Sequence, residues 1–398
     1  MAAGNTLTVI DSILKELYPI NYIKDQFEDE KEFYKRLKKS SDYFKYGGKK
    51  AIIPLRIERA QGVGSRAEDG DLPDARSSQF SNMEVTTKYN YFRGRITGQD
   101  IDFASGNLET FTEHLEDIMT DGMESLMKNY NFQLYRTSTG EITQVNDASV
   151  SAETTFTVDS VVGLKVDMAI DVYTATSGGS QEADGVVITD INESTKLVTV
   201  DTSVTLTNNS YIFTAGSRGS ALNGLLDGVA LTGTYHGIAK GTYSWFQGNR
   251  VKASAGVITD DFLTAMKTAS ETRGRKADMW LTTPAIKDEI WKRLLRPDRR
   301  YNEVTIAGGL KSFEYHGLPI VWDNDMVEGY VFLPDMRDLV MAEGKGGFAY
   351  LGEAETGKRL VQISGKDAYE FGIKNYSNLA LTYPKGLPYI SGVTTSGV

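Results

Sequence analysis

Three histidines, His114, His236 and His316, are the only imidazoles in this chain of 398 residues, and there is no cysteine. Metal ions and imidazole-dependent catalysis need several such ligands at short, regular spacing, and these three stand too far apart to provide it. Without cysteine there is neither a thiolate metal site nor a disulfide framework, and nothing points to an oxidising compartment. Asp323-Asn324-Asp325 with Glu328 offers carboxylates for calcium, but the twelve-residue loop with a central glycine is missing, so the spacing reads as a turn. Gly344-Lys345-Gly346-Gly347 and Gly47-Gly48-Lys49-Lys50 lack the spacing that cradles phosphate, and no G-x-S-x-G or G-x-G-x-x-G occurs. Four carboxylates, Glu68, Asp69, Asp71 and Asp74, sit together in a polar, glycine-punctuated stretch. An exposed tip of that kind cannot tune carboxylate pKa values as acid/base catalysis requires. Ion pairs to another subunit, shared with Arg56, Arg59, Arg66 and Arg76, are the expected use. No catalytic constellation, cofactor site or metal site is expected; the chain reads as non-enzymatic.

The elements carrying those carboxylates are the most informative part of the sequence. Ile53, Leu55 and Ile57 alternate with Pro54, Arg56 and Glu58, and on the way back Met83, Val85, Tyr89 and Tyr91 alternate with Glu84, Thr86, Lys88 and Asn90. Period two on both arms predicts two half-buried strands joined by the tip from Gln61 to Asn82. A two-stranded ribbon is marginal by itself, and a loop of this length is unusual inside a compact domain. Support from a neighbouring subunit is therefore expected for Ile53, Leu55 and Ile57 and for some of Tyr89, Tyr91 and Phe92, which otherwise read as plain hairpin packing. On this reading Leu55→Asp blocks assembly and leaves a soluble subunit.

Elsewhere, Thr6 to Leu17 has helical spacing, and Asp25 to Lys39, charged on most faces, reads as a mobile or partner-bound arm. Phe111, Leu115, Ile118, Met119, Leu126, Met127 and Tyr130 keep a 3.6-residue period, predicting one helix from about Leu108 to Leu134 that Gly122 bends. From Thr137 to Thr214 the texture changes to Thr, Ser, Val, Asp and Asn in short alternating runs separated by turn residues. Eleven acids against Lys165 and Lys196 place most of the chain's net charge of −10 there. This reads as a small antiparallel β domain inserted into a host fold. Mixed helices and strands follow, with Thr283-Pro284 opening a helix through Leu295 and a closing run from Tyr369 to Leu381. The fold class is α+β. No basic n-region or membrane-length apolar run is present, so a soluble protein without membrane contact is expected.

This order of parts, an N-terminal arm, a long two-stranded loop, a long helix, a mixed lobe containing His316-Gly317-Leu318-Pro319-Ile320-Val321 and closing strands, resembles the major capsid proteins of tailed bacteriophages, the Hong Kong 97 type fold. The resemblance implies an N-terminal arm over residues 1–45, an E-loop hairpin over 46–98 and a P-domain with its spine helix over 99–136. It further implies an inserted acidic β domain at 137–214, an A-domain with flanking P-domain segments at 215–338, and closing P-domain strands and tail at 339–398. The function implied is an icosahedral shell of hexamers and pentamers around double-stranded DNA, assembled in the host cytoplasm and found in the virion.

The resemblance also bears on partners. No lysine lies between Ala51 and Thr87, so the Lys-Asn crosslink of some relatives is not expected, and with fewer than fifty residues before the ribbon, scaffolding would be a separate protein or be dispensed with. Decoration and portal proteins are the other implied partners. Lys35, Arg36, Lys38, Lys39, Lys49 and Lys50 form a basic cluster that is either a solvated face or an inward contact with packaged DNA or scaffold, made without reading sequence. Lys292, Arg293, Arg296, Arg299 and Arg300 form a second. An encapsulin-like nanocompartment shell, and a surface-binding role for the β insertion, are the alternative readings.

Overall fold

The structure is a computed structural model that describes residues 32–39, 50–99, 108–148, 150–295, 303–305, 311–351 and 361–394. The helix predicted for Thr6 to Leu17, and Lys49, Arg296, Arg299 and Arg300, lie outside the described residues.

The first described segment, α1 (Glu32–Arg36) with β1 (Lys38–Lys39), corrects the expectation of a mobile or partner-bound arm. Phe33, Tyr34 and Leu37 form one narrow apolar stripe, and all three are buried in their own subunit. The Tyr34 ring meets Tyr130 edge-on at 5.7 Å, Phe33 lies 5.3 Å from Tyr135, and Lys38 and Lys39 pair in parallel with Val340 and Met341. Burying that stripe outweighs the charge on the other faces.

The ribbon consists of β2 (Lys50–Glu58) and β3 (Gln79–Thr86), antiparallel, with Ile53 opposite Met83. Its inner residues, Ala51, Ile53, Leu55, Met83 and Val85, belong to the same core as Tyr130 and Phe348. Ile53 and Leu55 are thus covered by their own subunit rather than by a neighbour. The outer face, with Ile52, Pro54, Arg56 and Phe80, is exposed. A second correction concerns the return arm. Pairing with β2 stops at Thr86, Thr87 is buried, and β4 (Lys88–Thr97) joins residues 368–377 in another sheet. Tyr89 and Tyr91 therefore do not lie on the ribbon, because the strand changes partner while its alternation continues.

Helix α2 (Leu108–Tyr135) is about 42 Å long at 1.5 Å per residue. Gly122 is explained by packing: a Cβ there would come within 2.6 Å of Cζ of Phe92 on β4. Next comes a six-stranded antiparallel sheet of β5 (Glu141–Gln144), β6 (Val150–Thr157), β7 (Ala169–Tyr173), β8 (Gln181–Asn192), β9 (Leu197–Leu206) and β10 (Tyr211–Thr214), in the order β5-β10-β7-β8-β9-β6. It has a separate core that includes Phe156, Ile170, Ile188, Val198 and Ile212, to which α2 contributes Phe132.

The chain then forms α3 (Leu225–Val229), the hairpin β11 (Thr234–Tyr235) and β12 (Ile238–Ala239), and β13 (Asn249–Lys252). Helix α4 (Asp260–Glu271), β14 (Trp280–Thr282) and α5 (Pro284–Ile290) follow, with Thr283 extended at the N-cap and Pro284 in the first turn. The helix predicted through Leu295 is α-helical to Ile290 and widens to a π-type turn over Trp291–Leu295. Then come β15 (Glu303–Thr305), β16 (Lys311–Tyr315), β17 (Leu318–Trp322), β18 (Val331–Phe332), β19 (Leu339–Tyr350), β20 (Val361–Gln362), β21 (Ala368–Leu381) and β22 (Pro388–Ile390). A mixed seven-stranded sheet runs β13-β22-β18-β14-β17-β16-β15. The remaining sheet is centred on β21, with β4 along one side and β19, extended by β1, and β20 along the other. Its inner face, the ribbon and α2 share one core through Phe371, Ile373, Met123 and Met127.

Candidate assembly surface

The ribbon ends in a tip whose backbone closes on itself. Arg76 N–H donates to the Gln61 carbonyl at 2.8 Å, Gly70 N–H to Ala67 at 3.0 Å, and Arg66 Nε to the Asp71 carbonyl at 2.8 Å. Glu68, Asp69, Asp71, Asp74, Arg59 and Arg76 are all exposed, and among the described residues none of them forms an ion pair. Val63 is 98% and Leu72 87% exposed. Ile57 is half-buried where the ribbon meets the tip, and Arg56 stands over the Phe80 ring at 5.4 Å on the outer face.

At the foot of the ribbon, buried polar groups hold the point where the return arm changes sheet. Asn378 Nδ2 donates to the Thr86 carbonyl at 2.7 Å and to Asn223 Oδ1 at 2.9 Å. The His236 carbonyl accepts from Glu84 N–H at 2.9 Å, and its ring Nε2 lies 2.8 Å from the Leu379 carbonyl; burial lowers the imidazole pKa. Lys240 is buried and donates to the carbonyls of Asp227, Gly228 and Ala230 at 2.6 to 2.9 Å, capping α3, while burial pulls its pKa down to about 8. Sequence reasoning missed Asn378 and Lys240, because neither has a local pattern that marks it.

Beyond the foot, the face of the β21 sheet turned away from α2 is open. Phe92 points toward the helix, so Tyr89, Tyr91, Arg93 and Arg95 point away from it. Directly opposite stand Tyr376, Lys374, Gly372 and Glu370. The Tyr376 ring meets Tyr89 edge-on at 5.1 Å and Tyr91 at 5.9 Å, Arg93 pairs with Glu370, and Lys374 lies over Tyr376 at 5.3 Å. Leu351 lies against the bare Cα of Gly372, and Val361 pairs opposite Glu370. Tyr89 and Tyr91 are each more than half exposed. The structure thus places them on this ledge, separate from the tip residues with which the sequence grouped them.

The basic cluster is only partly described. Lys50 forms a cross-strand ion pair with Glu84 at 2.6 Å, and Arg36 is half-buried beside the docked Tyr34. The backbone of Lys35 lies in α1 and that of Lys38 and Lys39 in β1; their side chains lie outside the described residues. In the second cluster Arg293 pairs with the buried Glu289.

The carboxylates weighed for calcium serve as a structural clasp. Asp325 N–H donates to Asp323 Oδ1 at 3.0 Å, Asn131 Nδ2 reaches Asp323 and Asp325 at 2.6 to 3.2 Å, and Tyr135 O–H donates to Asp323 Oδ2 at 2.9 Å. The clasp ties the end of α2 to the turn after β17. Burial, reinforced by these carboxylates, raises Tyr135 well above its ordinary pKa and keeps it a donor. Where the chain crosses from β18 to β19, Asp338 takes Arg275 at 2.8 Å, and its carbonyl accepts from Thr382 N–H at 2.8 Å. Burial pushes Asp338 up to about 6 against the pull of Arg275. No cluster of metal-binding side chains occurs, and no helix is long and apolar enough to cross a membrane, among the described residues. A cleft of about 1200 Å³ between β4, α2 and the six-stranded sheet carries mixed charge, including Lys128, Glu141, Lys165 and Asp167.

Comparison with solved structures gives a chain of the cyanophage A-1(L) capsid, with a TM-score of 0.52 at 15% identity over 87% of this chain and 89% of that one. Weaker likenesses are Mycobacterium phage Bobi, with a TM-score of 0.47 at 10% identity over 92% and 91%, and the holo-SrpI encapsulin complex from Synechococcus elongatus, with 0.44 at 11% over 87% and 83%. No protein-family model matches the sequence, and no curated protein matches it. With its ribbon, long helix, β21 sheet and mixed seven-stranded lobe, the chain has the α+β fold of tailed-phage capsid proteins, the Hong Kong 97 type.

Proposed function

We propose that this chain is a structural, non-enzymatic subunit that assembles with copies of itself into an icosahedral shell, the major capsid protein of a tailed phage enclosing double-stranded DNA. The observation that carries this reading is the ribbon with its tip. Beyond two strands packed on the subunit's own core, a closed loop exposes Val63 and Leu72 almost completely, beside four carboxylates without ion pairs among the described residues. Exposed apolar side chains on such a loop are the mark of a surface that is covered on assembly. The fold shared with the cyanophage capsid chain supports the same reading.

On this reading the ribbon is the E-loop and α2 the spine of the P-domain. The seven-stranded sheet is the core of the A-domain that meets its copies in hexamers and pentamers. The acidic six-stranded sheet at 137–214 is an insertion at the shell surface, where its charge repels other polyanions. The basic cluster of Lys35, Arg36, Lys38, Lys39, Lys49 and Lys50 is the part of the chain that contacts packaged DNA or scaffold, without reading sequence. A separate scaffolding protein, with portal and decoration proteins, completes the set of partners.

Electron microscopy of the purified protein after size-exclusion chromatography, at low and high salt, tests the proposal. Closed uniform shells are expected, with DNA as the natural content. Shells that hold a protein cargo instead would assign the chain to a nanocompartment, and monomers under every condition, with or without scaffold, would overturn the shell reading.

A further inference from the structure

On a chain with a net charge of −10, cations without a counter-ion gather in one cleft. Lys88 on β4, Lys128 on α2, Arg136 just past its end and Lys165 on the loop before β7 all line the cavity of about 1200 Å³ beside the inserted sheet. Among the described residues none of the four forms an ion pair. Three carboxylates share the lining, and one of them, Asp325, is already held by Asn131 at 2.6 Å.

Two buried donors in the same lining have no acceptor: Asn90 Nδ2 and Arg136 Nε. Neither can be turned into an acceptor. Leu222 N–H donates to Gln133 Oε1 at 3.1 Å, which fixes the Gln133 amide, and its Nε2 donates to Asn90 Oδ1 at 3.1 Å. The Asn90 amide is therefore oriented with Nδ2 left over. Arg136 lies over the Phe132 ring at 3.9 Å and gives one Nη to the Ile142 carbonyl at 2.9 Å, and a guanidinium nitrogen only donates. A buried donor left without a partner carries the cost of its desolvation.

The charge is undercompensated too. Burial pulls Arg136 down to about 10 in spite of Glu141, Glu328 and Asp325, and burial also lowers Lys88. Negative charge and hydrogen-bond acceptors are thus missing from the same place. The walls join two cores, because β4 and α2 belong to the main fold while Glu141, Lys165 and Asp167 belong to the insertion. Lys88 Nζ already reaches from β4 to the Gly219 carbonyl at 2.9 Å, in the segment that leaves the inserted sheet.

We propose that this cleft binds a phosphorylated ligand of nucleotide size, whose phosphate oxygens take the unpaired donors of Asn90 and Arg136 between Lys88, Lys128 and Lys165. A phosphate brings several charged oxygens to donors that come from different elements. The cavity is larger than a phosphate, and the half-exposed rings of Tyr89 and Tyr91 line the remainder. Bound there, the ligand ties the inserted sheet to the long helix. This site does not depend on the shell reading.

Titration calorimetry of the full chain at fixed ionic strength tests it, with AMP, inorganic phosphate and a short single-stranded DNA as probes. Saturable binding of AMP is expected, weakened about ten- to a hundredfold by Arg136→Gln. Lys128→Gln with Lys165→Gln should weaken it as well, at two exposed positions where thermal melting stays that of the wild type, so a folding defect in the Arg136 variant does not decide the matter. Binding of the DNA strand without binding of AMP would support the phosphate site and assign its source to nucleic acid rather than to a free nucleotide. No saturable binding of any probe, or binding that both variants leave unchanged, would overturn the site. Binding is read per chain, so neither of those failures bears on whether shells form.

Discussion

Gly122 on α2 and Phe92 on β4 share one space: a Cβ at position 122 would come within 2.6 Å of Phe92 Cζ, closer than such atoms approach. The aromatic ring lies where a side chain of the helix would otherwise be, which brings β4 close to α2 and fixes the ledge on the opposite face of the strand. Gly122→Ala should gain up to about 1 kcal/mol of helix propensity and lose about 1–3 kcal/mol to overpacking. A net loss of stability on chemical denaturation is expected, recovered when Phe92→Leu is added.

Leu55 separates core from interface. It belongs to the same core as Met83 and Tyr130, so Leu55→Ala should destabilise the isolated subunit by about 2–4 kcal/mol. Phe80→Ala, on the outer face, should leave the melting temperature within about 2 °C of the wild type. Equal melting temperatures for the two variants would contradict the burial of the inner face. The sequence-based expectation for Leu55→Asp is accordingly revised, from a soluble subunit unable to assemble to one that fails to fold.

Asp338 should give stability a dependence on pH. Burial raises its folded pKa to about 6, above an unfolded value of about 3.9. Between these values the folded state holds a proton that the unfolded state has lost. The contribution is complete below about pH 4 and disappears as pH rises through about 6, amounting to about 3 kcal/mol at most. Asp338→Asn should remove this slope, so the stability difference between wild type and variant should change over that window and be flat above pH 7. A flat difference from pH 4 to 8 would show that Asp338 does not titrate there.

The basic segment beside α1 should control genome retention. Replacing Lys35, Lys38 and Lys39 by glutamine, and leaving the half-buried Arg36 in place, should allow shells to form but release DNA at a lower salt concentration than the wild type. Phosphate contacts weaken with the logarithm of salt concentration at a slope set by the number of charges. Retention at the wild-type salt midpoint would make the segment a solvated face.

Much of the fold was legible because hydrophobic periodicity is written locally. The 3.6-residue period from Phe111 to Tyr130 fixed a helix that the structure runs from Leu108 to Tyr135, and the run from Tyr369 to Leu381 is one continuous strand. Thr283 and Pro284 marked a helix start by local rules, and the π-type widening after Ile290 has no such rule.

By itself, then, the sequence determined the periods and the polar tip with its four carboxylates, both of which depend on residues close together in the chain. Only the tertiary structure decided that the return arm changes sheets at Thr87 and that Phe33, Tyr34 and Leu37 enter their own core. It also decided that Tyr89 and Tyr91 face away from α2 beside Tyr376. Alternation says that two faces exist, and not which face is covered; that choice is made by partners such as Tyr376, which pairs with Tyr89 across most of the length of the chain. A buried pin such as Asn378 at Thr86 is equally silent in sequence, because its meaning is a hydrogen bond to a carbonyl 292 positions away.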